Sequence, residues 1–216
     1  NSGECKRIYS PVMTKEEKLK DLSKLKKEMS ADKNLPLRRG ATNLVFGEGD
    51  CDAKIFCLGE GPGYWEDQKG RPFVGNAGSL LNQLLQSIEV PREKVWITNV
   101  VCYRPPQNRD PEPFEIAAFQ PYIDRMIEII KPKIVVTLGR FSMAKFLPGV
   151  KITAIHGKPH VVNWNDRKLV VMPMYHPAAA LRRTDVMNQI KEDFLKLTEI
   201  LKEANKVEVK QMSLVQ

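Results

Sequence analysis

The stretch KIFCLGEGPG, residues 54–63, sets a short apolar run directly against a loop with glycine at positions 59, 61 and 63. A run with so little polar alternation is expected of a strand covered on both faces, as in a parallel sheet. Val95–Val101, Lys133–Leu138 and Lys168–Met172 have the same character. Between these runs lie Ala77–Ile88, Pro113–Ile130 and Phe141–Leu147, whose apolar positions suit helices laid on a sheet. The alternation predicts a single α/β domain in three layers, α on β on α, with a central four-stranded, mainly parallel sheet.

The ends read differently. Thr14 and Glu17 have the spacing of a capping box, and Leu19, Leu22, Leu25 and Met29 then form one apolar stripe through a highly charged segment. Residues 1–36 are therefore expected to be a charged helical extension, 37–204 the main domain and 205–216 a tail. A last helix is expected over about Asp185–Ala204, with Ile190, Phe194, Leu197 and Leu201 on one face. There is no internal repeat and no low-complexity tract.

At 216 residues and 42% hydrophobic, the chain can bury one substantial core. Its formal charge of +8 is a plausible footprint for a polyanionic partner, although many basic proteins simply have a solvated basic surface. No apolar run approaches the ~20 residues that span a bilayer, and no basic segment followed by an apolar one opens the chain. The expectation is a monomer in the cytoplasm, without a membrane contact. The four cysteines, Cys5, Cys51, Cys57 and Cys102, form no CxxC pair, so neither a zinc site nor a disulfide scaffold is indicated. Cys57 reads as a buried, reduced thiol.

In an open parallel sheet, ligands bind beyond the carboxyl ends of the strands. The first strand runs into Gly59–Gly63, the second contains Thr98 and Asn99 and leads to Arg104-Pro105-Pro106, the third ends at Gly139-Arg140, and the fourth leads to Tyr175-His176-Pro177. Taken singly, such residues usually mark turns; their joint arrival at one edge points to a site. The first loop meets neither nucleotide fingerprint, GxGxxG or GxxxxGK[ST]. It carries Glu60, Glu66 and Asp67, which suit the positioning of a water better than the binding of a triphosphate. Phe73 is expected on an exposed loop, as a hydrophobic plug or a stacking platform, just before a helix whose first amides can hold a phosphate.

Five segments, GEGPGYWEDQKGRPFVGNAGSLL, TNVV, RPPQNRDPEPFEI, KPKIVVTLG and HPAAALRR, resemble the family-four uracil-DNA glycosylases in order and spacing. The resemblance covers approximately Leu37–Leu197, making 37–204 a uracil-DNA glycosylase domain. It implies a DNA repair enzyme that cuts the base–sugar bond of deoxyuridine. By matching positions, the backbone of Glu60, Gly61 and Pro62 borders the uracil, Phe73 stacks on it, Asn99 pairs with its edge, and His176 faces the oxygen where charge accumulates. Glu66 is the first candidate to orient the attacking water and Glu60 the second, with Asp67 structural. The base must be flipped out of the duplex, with Leu181 as the wedge and Arg182, Arg183 and Arg104 against DNA phosphates.

The same family usually carries four cysteines around an iron–sulfur cluster. Here the N-terminal region reads KKEMSADKNLPLRR, the position before Arg104 is Tyr103, the later position is Phe119, and Cys102 is displaced by one residue. About four correctly directed thiolates are needed, so no cofactor and no metal are expected, with Met29, Tyr103 and Phe119 packed in the place of a cluster. Some relatives attach covalently to the abasic product through a histidine in an inserted loop; no histidine lies between Asn99 and Pro106, which favours a turnover enzyme. The alternatives are a non-catalytic uracil or abasic-site binder and a hydrolase of free nucleosides or nucleotides. Lastly, the tail segment Gln211–Val215 resembles short sliding-clamp-binding peptides, without their terminal aromatic.

Overall fold

A computed structural model describes residues 13–213, with side chains described to residue 203. Cys5 and the side chains of the clamp-like segment Gln211–Val215 therefore lie outside the described residues. Six strands form one sheet: β1 (Glu48–Gly49), β2 (Ile55–Gly59), β3 (Trp96–Asn99), β4 (Ile134–Leu138), β5 (His160–Trp164) and β6 (Arg167–Met174), in the order β1-β3-β2-β4-β6-β5. The four inner strands β3, β2, β4 and β6 run parallel, whereas β1 and β5 pair antiparallel at the edges.

The expectation of four strands is thus corrected to six. The two extra strands lack a buried apolar run: β1 is two residues long, and along β5 every second residue is exposed. β5 joins β6 through Asn165 and Asp166, both at positive φ (45° and 60°), which is the backbone of a two-residue hairpin. An Asn-Asp pair tolerates that conformation better than most residues.

Side chains alternate across the inner strands. Phe56, Leu58, Val135 and Val171 face one core, which α1 (Lys15–Ala31) and α4 (Pro113–Ile130) cover; Ile55, Cys57, Val136 and Met172 face the other, under α3 (Asn76–Ser87) and α8 (Thr184–Ser213). The three layers follow from this alternation. Short helices α2 (Tyr64–Lys69), α5 (Arg140–Ala144), α6 (Ile152–Ile155) and α7 (Pro177–Ala180) lie in the connections. The Thr14–Glu17 capping box forms, with Thr14 N donating to Glu17 at 2.7 Å and Glu17 N to Thr14 at 3.2 Å.

The stripe of α1 is displaced from the expected one. Lys18, Leu22, Leu25 and Met29 are buried, while Leu19 is 51% exposed. Positions 18, 22, 25 and 29 follow the i, i+4, i+7, i+11 track of a helix face, and Leu19 falls just off it. Lys18 is accommodated because Nζ donates to Asp52 at 2.8 Å and to the Ile130 carbonyl at 3.2 Å. The final helix continues past residue 204 to Ser213. No helix among the described residues is long and apolar enough to cross a membrane.

Candidate active site

Because the inner strands are parallel, their carboxyl ends open on one edge, and a cavity of about 390 Å³ lies there. The β2 loop contributes Glu60–Gly63 and Glu66 to its walls, β3 contributes Asn99, and the turn after β6 contributes His176. Phe73 closes one side and Arg182 another. The edge anticipated from the strand ends is thus one cavity, within the usual size range of small-molecule sites.

Phe73 is buried (5% exposed) rather than displayed on a loop, and it holds a left-handed φ of 50°. Such a backbone is costly for a bulky side chain and persists only where its surroundings impose it. Two glycines make that possible. A Cβ at Gly78 would lie 1.9 Å from the Phe73 carbonyl oxygen, and one at Gly59 would lie 2.6 Å from the ring. The ring belongs to the second core yet also lines the cavity, near-parallel to the His176 imidazole at 27° with centroids 5.6 Å apart.

Asn99, the last residue of β3, is 1% exposed, and its Oδ1 has no hydrogen-bond partner among the described residues. A buried, unpaired amide oxygen costs about 1–3 kcal/mol. Asn99 also lines the cavity.

His176 caps α7, its Nδ1 accepting from Ala178 N at 3.1 Å. An accepting Nδ1 puts the single proton of a neutral imidazole on Nε2, which then serves as a donor. Burial holds the pKa down at about 4, against an upward pull from Glu66 and a further downward push from Arg182. At neutral pH the cavity therefore presents an uncharged Nε2–H donor.

The three carboxylates of the first loop separate by aim. Glu66 Oε1 accepts from both Val74 N and Gly75 N at 2.8 Å. These amides lie at the helix start expected to be available to a phosphate, and the Glu66 carboxylate takes the phosphate's place. Its Oε2 lies 2.9 Å from where a Gly63 Cβ would be, so glycine there leaves room for this oxygen beside the cavity. Glu60 turns the other way: Oε1 accepts from Phe141 N at 3.1 Å and fills the space left by Gly139, which sits at φ 108°. Burial raises its pKa, and Asp110 adds to the rise. Asp67 is 2% exposed and accepts from Thr42 N (2.8 Å) and Asn43 N (3.1 Å), which pins that loop.

Around the mouth, Leu181 is 49% exposed, one residue before the cavity-lining Arg182. Arg183 donates through Nε to Asp185 at 3.1 Å, and Arg104 through Nε to Asn108 at 2.7 Å. Sequence reasoning missed the stretch Asn108–Pro111, which forms a further wall. Gln107 and Asn108, both at φ 56°, turn this chain, and Arg109 fastens it with a two-pronged contact to Glu115 at 2.8 and 2.6 Å. Glu115 in turn accepts from Glu112 N at 2.7 Å and caps α4. The Glu112–Glu115 spacing was the available signal.

The cysteines do not fit the four-thiolate set that the resemblance brings with it. Cys51 and Cys102 are buried in one core and Cys57 in the other, on the opposite face of the sheet. Burial pushes the thiols of Cys57 and Cys102 up to about 12. At the two positions quoted for the family, Tyr103 and Phe119 meet edge to face with centroids 6.1 Å apart, in the same core cluster as Met29.

Comparison with known proteins gives the family. The family model of the Uracil DNA glycosylase superfamily matches residues 46–202. The type-4 uracil-DNA glycosylase of Sulfurisphaera tokodaii is 46% identical over 185 residues, covering 83% of this chain and 84% of its own. That of Thermotoga maritima is 41% identical over 195 residues, 88% of this chain and 98% of its own, and that of Archaeoglobus fulgidus 40% over 188 residues, 84% and 94%. With a match spanning most of the chain and a cavity where the parallel strands end, this protein belongs to the uracil-DNA glycosylase superfamily.

Proposed function

We propose that the protein is a DNA repair glycosylase that hydrolyses the N-glycosidic bond of deoxyuridine in DNA, releasing uracil and leaving an abasic site. The observation that carries this reading is the buried Asn99 amide, its Oδ1 unpaired, in the wall of a cavity that also holds the Phe73 ring and a His176 imidazole whose Nδ1 accepts, leaving Nε2–H as the donor. An asparagine amide offers both an acceptor and a donor, which matches the edge of uracil and mismatches that of cytosine, where the exocyclic amine reverses the pattern.

Phe73 supports the flat face of the base, and the backbone of Glu60, Gly61 and Pro62 borders it. As the base–sugar bond lengthens, negative charge gathers on a uracil oxygen and His176 Nε2–H donates to it, while the sugar becomes oxocarbenium-like. Glu66 is better aimed than Glu60 for the attacking water. Two amides fix its Oε1 and leave Oε2 beside the cavity, whereas the Glu60 carboxyl is anchored against Gly139 and Phe141. On the DNA side, Leu181 is the wedge that fills the vacated stack, with Arg182, Arg183 and Arg104 against phosphates.

Residues 37–204 act as the catalytic unit, with the 1–36 extension bringing α1 against α4. The separation of Cys51 and Cys102 from Cys57 by the sheet, together with the Tyr103–Phe119 contact, supports a chain that works without a cluster. The test is release of uracil from a uracil-containing oligonucleotide with no metal added. Alkali-labile strands at the uracil are expected with catalytic enzyme. A strand that stays alkali-resistant at stoichiometric enzyme overturns the enzymatic reading and leaves a binder.

A further inference from the structure

Of the eight exposed large hydrophobics among the described residues, Tyr64 (48%), Trp65 (57%) and Leu181 (49%) each adjoin a cavity-lining residue in the chain. Tyr64 and Trp65 stand directly between Gly63 and Glu66, both cavity-lining. Water-exposed aromatics beside a site, on a chain with ample polar residues, mark a surface that another molecule covers.

These two rings are ordered rather than scattered. Tyr64 and Trp65 meet edge to face with centroids 5.1 Å apart at 77°, and the Arg104 guanidinium lies 5.2 Å from the Tyr64 ring centroid. Arg104 is itself steadied through Nε by Asn108, on the loop that forms the opposite wall. Arginine lies over Tyr64, which braces Trp65 edge to face and leaves the Trp65 ring the more exposed of the two. An aromatic face with a fixed cation beside it is how single-stranded nucleic acid is gripped without reading its sequence: a base lies on the ring and the cation meets the backbone phosphate.

We infer that Trp65, backed by Tyr64 and Arg104, is a stacking platform for the unpaired nucleobase next to the extruded deoxyuridine. This rests on the reading that the substrate base arrives in a DNA strand. The platform lies on the first-loop side of the mouth, and Leu181 lies on the α7 side. The chain is expected to favour substrates whose neighbouring base is free to unstack.

Two measurements test it. Trp65→Ala is expected to raise KM for a single-stranded uracil oligonucleotide about tenfold, the loss of one base–aromatic stack, with kcat changing far less. On a strand whose nucleotides flanking the deoxyuridine lack bases, wild type and Trp65→Ala should have the same KM. Equal KM values on the ordinary strand overturn the proposal. Fluorescence covers a variant that fails to fold and does not depend on excision. Adding a uracil-free single strand should quench wild-type tryptophan emission, and Trp65→Phe, which keeps Trp96 and Trp164, should show no quench. Quenching that persists in Trp65→Phe overturns the platform, whereas wild type that binds and quenches but releases no uracil overturns the glycosylase reading alone.

Discussion

Asn99 carries an unsatisfied carbonyl oxygen inside the protein, and that cost makes its role measurable apart from activity. Asn99→Ala removes the orphaned group, so melting temperature is expected to hold or rise. Uracil release should meanwhile fall about a hundredfold or more in kcat/KM, as for a lost transition-state hydrogen bond. A large drop in melting temperature would mean that the amide is structural. His176 gives a second residue-scale prediction, in pH. Its folded pKa of about 4 lies below the 6.5 of an unfolded histidine, so on acidification the unfolded chain takes up the proton first. Stability associated with His176 is therefore complete above pH 6.5 and lost as pH falls toward 4. An NMR titration of the ring should find its midpoint near 4, and His176→Asn should flatten the pH dependence of melting in that window.

At the scale of elements, the wall formed by Asn108–Pro111 is fastened to α4 by Arg109. Arg109 grips Glu115, which is 2% exposed and also caps α4, and this hydrogen bond holds the Glu115 carboxyl below the usual range against the opposing effect of burial. Glu115→Gln keeps the shape and removes the charge. With Arg109 partly exposed, the expected cost is about 1–2 kcal/mol, together with a higher KM as the wall loosens; an unchanged KM would detach this loop from substrate binding. That wall was not legible in the sequence, since its course depends on left-handed backbone at Gln107 and Asn108 that no periodicity reports. The inner strands were legible because each is apolar on both faces, and so was the edge where Asn99 and His176 emerge. β5 escaped because only one of its faces is covered. The aim of Glu66 against Glu60 was equally hidden. It is decided by amides at residues 74 and 75 in one case and 141 in the other, contacts that only the folded chain brings together.

For the whole molecule, the question is what ties α1 and α4 to the sheet. The described residues answer with a close-fitting core. Met29 and Phe119 are fully buried, Tyr103 is 5% exposed, and all three share one cluster with Leu22, Leu25 and Cys102. Tyr122 of α4 adds a bond from its hydroxyl to Asp32 just beyond α1, at 2.8 Å. A core of this kind loses stability when a ring is cut away, because the cavity left behind does not close. Phe119→Ala is therefore expected to cost about 3–5 kcal/mol. That lowers the melting temperature by about 10 °C in a chain of this size. A metal chelator should leave both melting temperature and uracil release unchanged. A cluster-bearing protein would behave oppositely: chelation or oxidation would unfold this corner, and anaerobically purified chain would contain stoichiometric iron and sulfide with a visible absorption band. Finding that iron would overturn the assignment of Tyr103 and Phe119 as its replacement.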